Sequence, residues 1–122
     1  MRVLLVEDDV DLSRQLKTAL TDAGYAVDHA PDGEEAWFLG DTEPYDVVVL
    51  DLGLPDMDGK DVLARAREFY AGPIIILSAR DKEAEKIAAL DLGANDYVEK
   101  PFGVGELLAR LRANLRQAPR AE

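Results

Sequence analysis

A chain of 122 residues, 48% of them hydrophobic, is long enough for one buried core and too apolar for global disorder. With no cysteine and a single histidine, it lacks disulfides, thiolate zinc sites and cysteine nucleophiles, and a histidine triad or multi-histidine metal site has little support. A net charge of −11 opposes direct nucleic-acid contact, no apolar run reaches the ~20 residues of a membrane span, and the short run after Met1-Arg2 lacks a signal peptide's features, so a cytoplasmic location is expected.

Two kinds of segment alternate along the chain. Val3 to Val6 is a short, wholly apolar run. Leu12, Leu16, Ala19, Leu20 and Ala23 then recur at helical spacing, with Gly24 as the stop. Tyr25 to Ala30 alternates like a strand, Pro31-Asp32-Gly33 is a turn, and Glu34 to Leu39 reads as a short helix. Val47 to Leu50 is a second buried strand, followed by a loop marked by Gly53, Pro55 and Gly59. Val62 to Phe69 reads as a helix, Ile74 to Leu77 as a strand, and Lys82 to Leu92 as a helix closed by Gly93. Asp96 to Glu99 is a short strand before Pro101, and Glu106 to Leu115 carries Leu107, Leu108, Leu111 and Leu115 on one face. The small, polar residues 117–122 read as a linker stub after a domain of residues 1–116.

This is five βα units. Apolar runs without alternation belong to strands covered on both faces, as in a parallel sheet between helix layers. The expected fold is α/β, a doubly wound five-stranded parallel sheet with strand order 2-1-3-4-5. Such a sheet takes ligands beyond the carboxyl ends of its strands, at the switch point between strands 1 and 3.

Reading off that edge gives Glu7 and Asp8 after strand 1, Asp51 after strand 3, Ser78 after strand 4 and Lys100 after strand 5. Three crowded carboxylates repel one another, and a hard cation resolves the conflict. Mg²⁺ takes oxygen ligands and keeps several waters, which suits Asp8 and Asp51 as direct ligands, Glu7 acting through water and the Gly53 carbonyl as a further ligand. A carboxylate beside a metal and a lysine is also a nucleophile, so Asp51 is the candidate to attack phosphorus. Lys100 would neutralise charge on the phosphoryl oxygens and Ser78 would hydrogen-bond them. Singly, each of these residues reads as a helix cap, turn residue or surface charge; the convergence of the set on one edge is what points to a site. Asp9 and Asp11 keep the capping reading.

The stretches Leu5-Val6-Glu7-Asp8-Asp9, Leu50-Asp51-Leu52-Gly53-Leu54-Pro55-Asp56-Met57-Asp58-Gly59, Leu77-Ser78-Ala79-Arg80 and Asp96-Tyr97-Val98-Glu99-Lys100-Pro101-Phe102 resemble, in order and spacing, the receiver domain of two-component response regulators of the OmpR/PhoB type. The resemblance covers nearly the whole chain and implies a flavodoxin-like, CheY-like fold. It implies that Asp51 takes phosphate from a sensor histidine kinase, that the Lys100–Pro101 bond is cis, and that Ser78 and Tyr97 form a switch. It implies a homodimer through the fourth helix, fifth strand and fifth helix, with Lys86 facing Glu106, Asp96 facing Arg110 and Asp91 facing Arg112. It further implies a DNA-binding output domain beyond this chain. Ser78 stands where the family more often has threonine, and Gly53 and Arg80 occupy positions that influence phosphate lifetime in the family. Residues 86–91 with 100–107 look like regulators of potassium-uptake (Kdp) operons, while residues 34–40 look more like PhoP/QseB-type regulators.

Three other functions compete. A phosphatase using an aspartyl phosphate would carry a second Asp two residues after the nucleophile, where this chain has Gly53, so a turnover enzyme is not expected. A flavin-binding module would need a hydroxyl-rich phosphate loop where Glu7-Asp8-Asp9 would repel phosphate. A degenerate scaffold is opposed by the intact set Asp8, Asp51, Ser78 and Lys100.

Overall fold

The structure is a computed structural model describing residues 1–79 and 83–117. It contains β1 (Arg2–Val6), α1 (Val10–Asp22), β2 (Ala26–Ala30), α2 (Gly33–Thr42), β3 (Val47–Asp51), α3 (Gly59–Phe69), β4 (Ile74–Ser78), α4 (Glu83–Asp91), β5 (Asp96–Glu99) and α5 (Val104–Gln117). All strand pairings are parallel, in the order β2-β1-β3-β4-β5, as the sequence predicts. The helices α2, α3 and α5 start one to three residues earlier than their apolar periodicity suggests. The glycine and polar residues that open α2 and α3 carry no apolar signal, Asp32 and Asp58 supply the caps of those two helices, and in α5 Gly105 and Glu106 separate Val104 from the leucine face. The expected start of the fourth helix at Lys82, and Arg80, lie outside the described residues, as does the expected linker from residue 118 onward. Helix α5 continues through Gln117.

The sheet divides two cores between its faces. Leu4, Val6, Val48, Leu50, Ile74 and Ile76 pack with Val62, Leu63 and Ala89 beneath α2, α3 and α4. Val3, Leu5, Val47, Val49, Ile75 and Leu77 pack with Leu16, Leu20, Leu107 and Leu111 beneath α1 and α5. Successive strand residues thus enter opposite cores, which is why the strands read as unbroken apolar runs. No helix of the described residues is long and apolar enough to cross a membrane.

Two glycines close helices as expected. Gly24 and Gly93 follow α1 and α4 with φ of 99° and 112°, the left-handed region that a Cβ penalises. Arg67 fastens the far end of α3. Its guanidinium donates to the carbonyls of Gly93 (2.9 Å), Tyr70 (2.7 Å) and Gly72 (2.8 Å) and to the Asn95 side chain (2.7 Å).

Gly59, the first residue of α3, lies against the end of β3. A Cβ there would collide with the Leu52 Cα and stand 2.8 Å from the Asp51 carbonyl oxygen. Both are backbone atoms and cannot swing away. Gly59→Ala should therefore lower unfolding free energy by about 1–3 kcal/mol. Exposed Gly40 in α2 meets nothing within 4 Å, and Gly40→Ala should raise stability by roughly 0.5–1 kcal/mol. Urea unfolding of the two variants checks the pair; equal effects of one sign would contradict it.

Candidate functional site

The parallel register brings the carboxyl ends of four strands to one edge. β1 stops at Val6, and the Glu7 N–H still bonds Ala30 O at the end of β2 (3.0 Å). Asp51 is the last residue of β3 and is paired with Leu77. Ser78 ends β4, paired with Glu99, and its carbonyl accepts from the Lys100 N–H at 2.8 Å. The Lys100–Pro101 bond is cis.

Four of the five expected residues, Glu7, Asp8, Asp51 and Lys100, meet at this edge, and Ser78 ends the strand beside Asp51. One carboxylate oxygen from each of Glu7, Asp8 and Asp51 lies within 4.8 Å of the others. Glu7 is fully buried, Asp51 and Ser78 are buried, and Asp8 is exposed, so the cluster opens to solvent on the Asp8 side. The Lys100 Nζ sits 3.0 Å from Glu7 Oε2 and 3.5 Å from Asp51 Oδ2. Gly53 is exposed beside the cluster, and its N–H donates to Asp51 Oδ1 at 3.1 Å. A Cβ on Gly53 would stand 3.8 Å from that same oxygen, so any side chain there would border the Asp51 carboxylate.

The electrostatics record the crowding. Burial, then the charge of Asp51, push the Glu7 carboxyl up to about 7, against the pull of the Lys100 hydrogen bond. Burial alone would lower the Lys100 ammonium, but its bonds to Glu7 and Asp51 raise it above the usual lysine value. One lysine thus faces two buried carboxylates, leaving excess negative charge. Oxygen donors without any thiolate suit a hard divalent cation. Glu7, Asp8 and Asp51 fit that role.

The neighbouring acids do other work. Asp9 caps α1, accepting from the Leu12 N–H at 3.0 Å, and Asp11 lies in that helix's first turn. Asp58 caps α3. Asp56 reaches across to the start of α2, accepting from the N–H groups of Gly33 (2.9 Å) and Glu34 (3.1 Å). Those donors, Gly33 first, hold its carboxyl below the usual aspartate range. Sequence reasoning missed His29, whose Nε2 lies 2.7 Å from the Glu7 carbonyl oxygen. A crevice of about 540 Å³ between α2, α3 and the sheet is lined by Leu4, Val6, Trp37, Val48, Leu50 and Tyr70. None of the clustered acids lines it.

The remaining expected residues lie away from the acids. Tyr97 on β5 is buried in the core, with the Lys86 Nζ 6.0 Å from its ring centre. Asp91, Lys86 and Ile87 are exposed on α4, and Glu106 and Arg112 are exposed on α5. Within the chain Arg110 bonds Asp96 at 2.9 Å and lies 3.7 Å from Glu106.

A family model described as the response regulator receiver domain matches residues 3–112. The chain is 50% identical over 115 residues to the transcriptional regulatory protein KdpE of Mycobacterium tuberculosis, covering 94% of this chain and 51% of that protein. The chain therefore spans about half the length of such relatives. The Francisella response regulator 1452 receiver domain superposes with a TM-score of 0.90 at 38% identity, covering 95% of this chain and 97% of that one. The BeF3-activated N-terminal receiver domain of Klebsiella pneumoniae RstA gives 0.91 at 34% identity, covering 96% and 100%.

Folding raises the Glu7 pKa, so the folded chain holds a proton that the unfolded chain releases near its ordinary value of 4.5. This contribution to stability is complete below that value and is lost as pH rises through about 7. In EDTA, unfolding free energy should fall between pH 5 and 8, and Glu7→Gln should flatten that fall. Parallel pH profiles for wild type and variant would contradict the assignment.

Proposed function

This chain belongs to the response regulator receiver domain family, and from that premise we propose that it is a phosphoacceptor module whose Asp51 takes a phosphoryl group from the phosphohistidine of a sensor histidine kinase. The observation that carries this reading is the cluster of Glu7, Asp8 and Asp51, with the Lys100 Nζ 3.5 Å from Asp51. Asp8 and Asp51 would hold Mg²⁺ directly, with Glu7 contributing through water and the Gly53 carbonyl completing the protein's share. Bound there, the ion would offset the carboxylate charge and attract phosphoryl oxygens.

The chain's own groups supply the rest. An Asp51 carboxylate oxygen bonds to phosphorus as the donor's P–N bond breaks, and the bonding pair leaves with the imidazole nitrogen. Lys100, already poised between Glu7 and Asp51, pairs with a phosphoryl oxygen. Ser78, buried at the end of the adjacent strand, donates its hydroxyl to another. Gly53 offers no side chain to act as acid or base, which favours a phosphorylated signalling state over turnover of a substrate.

The readout runs through β5. Tyr97 follows Asp96, which joins Arg110 of α5, and Lys86 of α4 lies over the Tyr97 ring. A shift of Ser78 towards phosphate would alter the packing of Tyr97 and re-aim the exposed charges Lys86, Asp91, Glu106 and Arg112. Asp96 and Arg110 would exchange their internal pair for one with a second copy. Exposed pairs of this kind add little affinity singly and set register. The outcome is a homodimer that controls a DNA-binding output domain in a cytoplasmic transcription regulator. The acidic chain itself makes no nucleic-acid contact.

Incubation with acetyl phosphate or beryllofluoride tests the reading. The wild type should take up phosphate only with Mg²⁺ and shift towards dimer, and Asp51→Asn should lose both responses. Tyr97→Ala should keep labelling and lose dimerisation. Labelling unchanged in Asp51→Asn, measured by intact-protein mass, would remove Asp51 as acceptor; unaltered dimerisation in Tyr97→Ala would remove Tyr97 from the switch.

A further inference from the structure

Beyond the residues that touch phosphate or metal, we infer that His29 is a positioning residue for the cation site, holding the Glu7–Asp8 peptide in the orientation that aims Asp8. The inference rests on the proposed Mg²⁺ site and adds a residue to it.

The argument starts from where the β1–β2 ladder ends. The register pairs Leu5 with His29 and Val6 with Ala30, and the Glu7 N–H continues it by donating to Ala30 O at 3.0 Å. In a parallel ladder the next bond would run from the Asp32 N–H to the Glu7 carbonyl. The strand stops at Ala30, however, and Pro31 turns the chain into α2. The Glu7 carbonyl thereby loses its ladder donor. The His29 ring supplies a substitute, its Nε2 lying 2.7 Å from that oxygen. A carbonyl oxygen only accepts, so this nitrogen carries the hydrogen.

The bond matters because of what the peptide carries. The Glu7 carbonyl and the Asp8 N–H share one rigid plane. On one side Glu7 is fixed by Ala30 through its own N–H, and its carboxylate is held by Lys100 at 3.0 Å and by the Asp9 N–H at 3.2 Å. His29 holds the Glu7 carbonyl directly, and with the Asp9 N–H bond it restrains rotation about the Glu7 Cα–C bond. Asp8 is exposed, so its placement relies on backbone restraint. Groups that orient the ligands of a metal without touching it commonly govern affinity about 10–100-fold.

The test pairs two variants. His29→Leu keeps bulk and removes the donor; His29→Gln keeps an N–H at a similar reach. Mg²⁺ titration by calorimetry should give a Kd about tenfold weaker for His29→Leu and within about twofold of wild type for His29→Gln. In the metal-free proteins, the Glu7 carbonyl ¹³C resonance should move in His29→Leu and return towards wild type in His29→Gln. This readout reports the bond without any ion. Wild-type Mg²⁺ affinity in His29→Leu, or an equal loss in both variants, would overturn the role of His29 alone. Failure of the wild type to bind Mg²⁺ would overturn the site reading and this inference together.

Discussion

Three carboxylates and one ammonium at the edge of a parallel sheet set the terms for this molecule. Like charges within 4.8 Å of one another oppose folding, and Lys100 offsets only part of that opposition. The pressure falls on Glu7, which is sealed from solvent and pushed towards protonation by burial and by Asp51. Such a cluster persists because the strands that deliver it are held by two cores, one on each face of the sheet. Fold stability thus sustains a local conflict that a divalent cation is suited to resolve.

The same sheet connects the acidic edge to a distant surface. Ser78 and Lys100 belong to the ends of β4 and β5, and Tyr97 lies three residues before Lys100 on β5. Tyr97 is buried, and its neighbours Asp96 and Lys86 reach the charged faces of α5 and α4. A change at the strand ends therefore has a short, packed route to the α4–β5–α5 surface. Asp56 ties the loop after Asp51 to the start of α2, so that loop too is anchored to a helix.

Much of this was legible because the signals were local and repeated. Unbroken apolar runs identified strands buried on two faces, and the strand ends then gave Glu7, Asp8, Asp51, Ser78 and Lys100 without any contact information. Helix starts were less legible, since α2 and α3 open with glycine and polar residues outside the apolar rhythm, and in α5 Gly105 and Glu106 separate Val104 from the leucine face. Nothing local to Asp56 marks its role, which comes from its reach to the Gly33 and Glu34 amides across the fold. His29 was invisible for a related reason. Its bond to the Glu7 carbonyl depends on the register at which β2 ends, and a lone histidine carries no record of that.

The central claim is that the acidic edge is a cation site completed by phosphate. Diffraction from crystals soaked in Mn²⁺, with and without beryllofluoride, addresses it most directly. An anomalous peak should lie within about 2.0–2.2 Å of oxygens from both Asp8 and Asp51. With beryllofluoride, the fluoride cluster should sit on Asp51 and draw in Lys100 and Ser78. A manganese peak elsewhere on the molecule, with none at these carboxylates, would contradict the account.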